Sequence, residues 1–341
     1  MFELMDHIRQ AQAAALGLLG FGSDECRYDV LASAPHWQLR AYAGSGMPPP
    51  LLIVAAPIKR PYIWDLAPSA SVVWHCLNHG IQVHLLEWIP PSYGAEGDGL
   101  DEYANAISQC IATVTDNTKG RKPFLIGHSL GGTLAAVAAA IDPERIGGLV
   151  LLGTPLCFQP SISRFCDKIA AMDAAMLSEM GVVPVSLLSQ ISALASPEAV
   201  IWSRLTDAVF SLVDSRSMEI HARVERWTLD EAPLPGRLVC QISRWLYGED
   251  RFFNERLCVR GKIVGPSCVR VPTLAVVNAA DEIAPRASVS PFLDAMPVQD
   301  VRLIEYPGET GVSLQHVAIL VGRVAHAKVW PEIISWLKLR C

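Results

Sequence analysis

Short apolar runs punctuate the chain at Leu51–Ala56, Ile81–Leu86, Phe124–Ile126, Leu149–Leu152, Thr273–Val277 and Val301–Glu305. Several are near-continuous rather than alternating, the pattern of strands covered on both faces in a parallel sheet. Helical patterns fall between them. Ser69–Asn78 runs up to His79-Gly80, a helix stop, and Asp101–Ala112 follows the turn and cap signal Gly97-Asp98-Gly99. Leu130–Ile141 ends before Asp142-Pro143, where proline forbids continuation, and Trp330–Leu339 closes the chain with Pro331 in its first turn. Strands alternating with helices predict an α/β fold. The alternation fails between Phe158 and Cys268, where Met172–Met180, Glu198–Leu212 and Ser217–Thr228 read as helices. The expected organisation is an α/β core of residues 1–157 and 269–341 with a helical cap, residues 158–268, inserted between two strands. The N-terminal stretch, with Glu3, Asp6 and His7 ahead of its apolar part, reads as an amphipathic helix lying on the core rather than a signal peptide.

Composition narrows the classes. Of 341 residues, 51% are hydrophobic and 18% charged, which excludes a disordered chain. A net charge of −6 offers no basic footprint for nucleic acid. The most apolar window, Phe124–Ile141, holds His128, Ser129 and Thr133, and reads as strand plus helix rather than a membrane span. The nine cysteines are scattered, odd in number and without a Cys-x-x-Cys pair, so neither a disulfide framework nor a zinc site is expected. They suit buried positions in the reducing cytoplasm.

Gly127-His128-Ser129-Leu130-Gly131 fits Gly-x-Ser-x-Gly. Its context carries more weight than the pattern: an apolar strand precedes it and a helix follows, the strand–turn–helix that presents a nucleophilic serine in α/β-hydrolases. A serine hydroxyl needs a base, and in that fold the partners follow in the order Ser, Asp or Glu, His. After Thr273–Val277 comes Asn278-Ala279-Ala280-Asp281-Glu282, with Asp281 the chosen acid and Glu282 its rival. After Val301–Glu305 the loop leads to His316, the expected base; His326 is the only later histidine and is expected at the surface. The oxyanion donors should be the N–H of Leu130 and, because Pro57 has none, that of Ile58, with Lys59 behind it. His75 and His79 read as flanking a helix end, Asp98, Asp101 and Glu102 as a helix start, and His128 as packing. No cofactor or metal is expected.

Several segments resemble the polyhydroxyalkanoate synthase family within the α/β-hydrolase superfamily. These are Pro57-Ile58-Lys59-Arg60-Pro61-Tyr62-Ile63-Trp64-Asp65-Leu66, Gly80–Trp88 with Gly99–Tyr103, and Arg226-Trp227 through Pro233–Gly236. To them are added Leu246-Tyr247 to Asn254 and Lys328–Ile333. The synthases carry cysteine at the elbow, whereas this chain has Ser129, and their histidine usually follows a glycine, whereas His316 follows Gln315. A serine ester is a more ordinary way station to attack by water than a thiolate. The resemblance therefore implies a hydroxyacyl ester, thioester or polyester substrate and, with serine, a hydrolase. Acyl transfer from hydroxyacyl-coenzyme A and a non-catalytic synthase-like partner are the alternatives. Homodimerisation and association with a polyester granule stay open.

Overall fold

The computed structural model describes residues 1–43, 49–91, 97–160, 162–195, 208, 214–309 and 311–340. Eight strands form one sheet: β1 (Tyr28–Ala34), β2 (Trp37–Tyr42), β3 (Pro50–Val54), β4 (Gln82–Trp88), β5 (Phe124–His128), β6 (Gly148–Leu152), β7 (Thr273–Asn278) and β8 (Val301–Tyr306). Their spatial order is β1-β2-β4-β3-β5-β6-β7-β8. β2 pairs antiparallel with both β1 and β4, and every other neighbouring pair is parallel. This is the mostly parallel sheet expected from the buried apolar runs. Every residue of β3, β5, β6 and β7 is buried. Alternate residues serve opposite faces: Leu52 and Val54 join one core cluster, Leu51 and Ile53 the other.

Helices cover both faces. In chain order they are α1 (Phe2–Leu16), α2 (Val72–Asn78), α3 (Leu100–Asn117), α4 (Leu130–Ile141), α5 (Arg164–Ala170), α6 (Ala174–Glu179), α7 (Val185–Ala195), α8 (Ser215–Leu229), α9 (Gly236–Gln241) and α10 (Trp330–Lys338). Further short turns of helix lie between these. α4 is buried from Gly131 to Ile141, and its alanine-rich sequence suits a helix enclosed on all sides. Among the described residues no helix is long and apolar enough to cross a membrane.

The interruption expected between β6 and β7 is present, and α5 to α9 lie there. Ser217–Thr228 falls within α8, and α6 occupies part of Met172–Met180. Glu198–Leu212 lies outside the described residues apart from Ala208. The β1–β2 hairpin was not anticipated from the apolar runs. Its edge strand β1 is half exposed, and β2 carries a buried Arg40, 5% exposed, that would not be read as core. Arg40 is satisfied by Glu87 of β4 (2.7 Å) and Glu25 (2.6 Å).

Candidate active site

The sequence between β5 and α4 makes a turn so tight that side chains are excluded around it. Ser129 has φ 54° and ψ −132°, a left-handed conformation that a non-glycine residue adopts at a cost of roughly 1–3 kcal/mol. Its N–H donates to Leu152 O of β6 (3.1 Å). A Cβ on Gly131 would stand 2.3 Å from Val54 O, and one on Gly132 would stand 2.0 Å from Thr154 Oγ1. Glycine at these two positions lets α4 start directly against the ends of β3 and β6. Ser129 and Leu130 are consequently half-buried at the carboxyl edge of the sheet.

The chosen acid and base meet. Asp281 Oδ2 accepts from His316 Nδ1 (2.7 Å), and Asp281 Oδ1 accepts from the N–H groups of Ile283 (2.9 Å) and Ala284 (3.2 Å). Burial raises the Asp281 pKa, but the His316 ring and these hydrogen bonds outweigh it and hold the carboxyl below its ordinary range. The loops are stapled together as well. Asn278, the last residue of β7, donates through Nδ2 to Gln315 O (2.8 Å), and the Gln315 side chain accepts from Glu309 N (3.1 Å) and donates to Glu309 O. Gln315, which stands where the resemblance would put glycine, thus braces the loop that carries His316. Glu282, the rival acid, is not the residue bonded to His316 Nδ1. Among the described residues, His316 Nε2 is buried without a hydrogen-bond partner.

Ser129 and His316 line the same cavity, of about 240 Å³, together with Leu130 and Ile58. Ile58 lies on the loop after β3. The N–H of Lys59, the alternative donor, is committed to Ala56 O (3.2 Å). Trp88 Nε1 donates to Ala55 O (2.7 Å), so the end of β4 fixes this loop against the elbow. The insertion supplies an apolar wall that includes Phe165, Ile169, Met172, Leu188, Val239 and Ile242. Ile169, Met172 and Leu188 come from two apolar stretches of the insertion, Ile169–Met176 and Val182–Leu188, whereas a third, Val209–Val213, lies outside the described residues.

The remaining histidines divide. His128 packs, as expected, but against the site: its ring lies 4.5 Å from that of His316, and its Nε2–H donates to His316 O (2.7 Å). Burial depresses the His128 pKa to about 3, so it is neutral here. His75 and His79 sit at the end of α2, rings 4.6 Å apart. His326, expected at the surface, is instead half-buried: its ring lies 5.6 Å from His75 and stacks on Trp330, and Nε2 bonds Leu320 O (2.7 Å). The helical turn Ala325–Val329 that leads into α10 carries this ring against His75 of α2, a tertiary contact that local polarity does not reveal. Asp98, Asp101 and Glu102 do mark a helix start, with Glu102 accepting from Gly99 N (2.7 Å).

Comparison with known proteins gives the same fold. The α/β hydrolase fold family matches residues 67–180. The poly(3-hydroxyalkanoate) polymerase subunit PhaC of Haloferax mediterranei is 30% identical over 295 residues, covering 85% of this chain and 59% of the relative. The chain therefore spans about three fifths of that relative's length. PhaC of Allochromatium vinosum is 25% identical over 92% of this chain and 85% of its own length. Among solved structures, the monoacylglycerol lipase of Paleococcus ferrophilus superposes with a TM-score of 0.54 at 19% identity, covering 88% of this chain and 99% of the lipase. The strand order, the elbow and these similarities together give the chain the α/β-hydrolase fold and a likeness to the polyhydroxyalkanoate synthases.

Proposed function

We propose that the chain is a serine hydrolase, an esterase or thioesterase acting on hydroxyacyl esters, thioesters or polyester through an acyl-enzyme. One observation carries the reading: His316 is held by Asp281 through Nδ1, and its Nε2, without a partner among the described residues, belongs to a ring that lines the same cavity as Ser129. Ser129 Oγ bonds the acyl carbon as His316 Nε2 takes its proton. The carbonyl oxygen becomes an oxyanion, received by the N–H groups of Leu130 and Ile58. Leu130 opens α4, where N–H groups lack intrahelical partners. Collapse breaks the bond to the leaving alkoxide or thiolate, which takes the proton from His316. Water then attacks the ester, losing a proton to His316, and Ser129 Oγ recovers one as the acid leaves. Asp281 orients the ring and stabilises its charged form. The insertion, residues 158–268, acts as a cap whose apolar wall receives the acyl chain.

The second reading, acyl transfer in the manner of a polyhydroxyalkanoate synthase, is favoured by the similarity to PhaC. It uses the same acyl-enzyme, with a hydroxyl end of a growing chain in place of water. A synthase-like partner without activity is the third. We assign the chain to the cytoplasm, which suits its eight described cysteines, all free. The relation to a granule or to a second copy is part of the synthase-like reading. Incubation with a 3-hydroxyacyl-coenzyme A substrate tests the proposal. Free acid with stoichiometric thiol is expected; insoluble polymer would establish the second reading instead, and no turnover the third.

A further inference from the structure

The loop that carries Ile58 is gripped from outside the sheet. Lys59 pairs through Nζ with Glu231, just after α8, and donates to Thr228 O (3.3 Å), its ammonium 4.9 Å from the centre of the Trp227 ring. The backbones join at the same place: Lys59 and Glu231 form an antiparallel bridge, and Ala232 N–H donates to Ile58 O (3.0 Å). Trp227 Nε1 adds a bond to Arg60 O (2.8 Å). The Glu231 side chain is 6% exposed and also receives Arg9 of α1 (2.7 Å), which donates in addition to Thr228 O (2.8 Å). Three segments remote in sequence, namely α1, the loop after β3 and the end of α8, thus converge on one buried carboxylate.

We propose that Glu231 is a positioning residue for the oxyanion-side loop, and that Arg9 makes α1 part of the same clamp. The inference rests on the serine-hydrolase reading. A carboxylate shared by two cations offsets part of their charge where water is scarce. Without it, the partly exposed ammonium and guanidinium lose a shared counter-charge and shift toward solvent, because partly buried charge that loses its ion partner is costly. Lys59 is covalently next to Ile58, so its movement carries the Ile58 N–H with it. That donor acts on charge that develops only in the transition state, and its displacement lowers kcat more than it raises KM.

Glu231→Gln in the full chain tests the clamp, because it keeps the shape and removes the charge. Two readouts are taken with the melting temperature: hydrogen exchange of the 57–63 peptide, and the rate at which a fluorophosphonate probe labels Ser129. Faster exchange is expected, with labelling and kcat on a short acyl ester slowed about ten- to a hundredfold and KM little changed. Arg9→Met is expected to shift both in the same direction by less. Lys59→Met with Glu231→Gln is expected to lose little more than Glu231→Gln alone, since the pair acts as a unit. Unchanged exchange or a wild-type labelling rate in a folded Glu231→Gln overturns the clamp. A wild type that the probe leaves unlabelled overturns the serine-hydrolase reading and, with it, the catalytic role given to Glu231.

Discussion

At Ser129 the backbone is held at φ 54° by contacts that leave no room for a side chain at Gly131 or Gly132. A Gly131→Ala variant must push apart its own Cβ and the Val54 carbonyl, both attached to buried backbone. It is expected to lose both melting temperature and labelling of Ser129; wild-type values of both would contradict the account of the elbow. Asp281 makes a second residue-level prediction. An amide in its place cannot hold His316 in the same tautomer, so Asp281→Asn should lower kcat by about 10⁴ while the fold persists. Loss of less than tenfold would give Asp281 a structural role only. The Asp281 carboxyl also contributes to stability. Its pKa is lower folded than unfolded, so the contribution is present above the unfolded carboxylate range and is lost as pH falls through the folded value.

Among the elements, the insertion decides what enters. Met172 lies half-buried in the cavity wall supplied by the residues between β6 and β7. A charge there desolvates poorly beside an acyl chain. Met172→Glu should therefore lower kcat/KM for a long acyl ester about tenfold or more while sparing an acetyl ester. Equal losses on both would mean that the acyl chain lies elsewhere. The legibility of the elements followed where their information sits. α4 is legible end to end, because its apolar sequence, leading glycines and trailing proline are all local. α3 runs five residues past Ala112 because Val114 is buried in the core, a tertiary gain that the β-branched residues there conceal. The β1–β2 hairpin was illegible because Arg40 is made tolerable by Glu87 and Glu25, neither of them its neighbour in sequence. Ser129, Asp281 and His316 were recoverable because each follows a strand, and the strand order brings those three loops to one edge. Glu231 and Arg9 carried no such marker.

For the whole molecule, the high apolar content divides between a core on each sheet face, the enclosed α4 and the wall of the insertion. Burial of neutral histidines is one consequence. His84, fully buried in β4, has its pKa depressed to about 4 by desolvation. The unfolded chain then binds more protons than the folded one between about 4 and 6.5, so this group's contribution is present above about 6.5 and falls as pH drops. Asp250 acts in the opposite sense, its pKa raised to about 6 by burial, so its contribution is lost as pH rises through that value. A comparison of variants separates the two: the loss of urea midpoint between pH 7 and pH 5 should be smaller in His84→Leu than in the wild type. An identical difference would mean that His84 titrates alike folded and unfolded.

The central claim is that Ser129 is a nucleophile activated by His316 and Asp281. It is tested most directly by intact-mass measurement after treatment with a fluorophosphonate probe. One covalent adduct mapping to Ser129 is expected in the wild type, with none in Ser129→Ala and strongly slowed formation in His316→Ala. An adduct that persists in Ser129→Ala, forms at the wild-type rate in His316→Ala, or never forms in the wild type would contradict it.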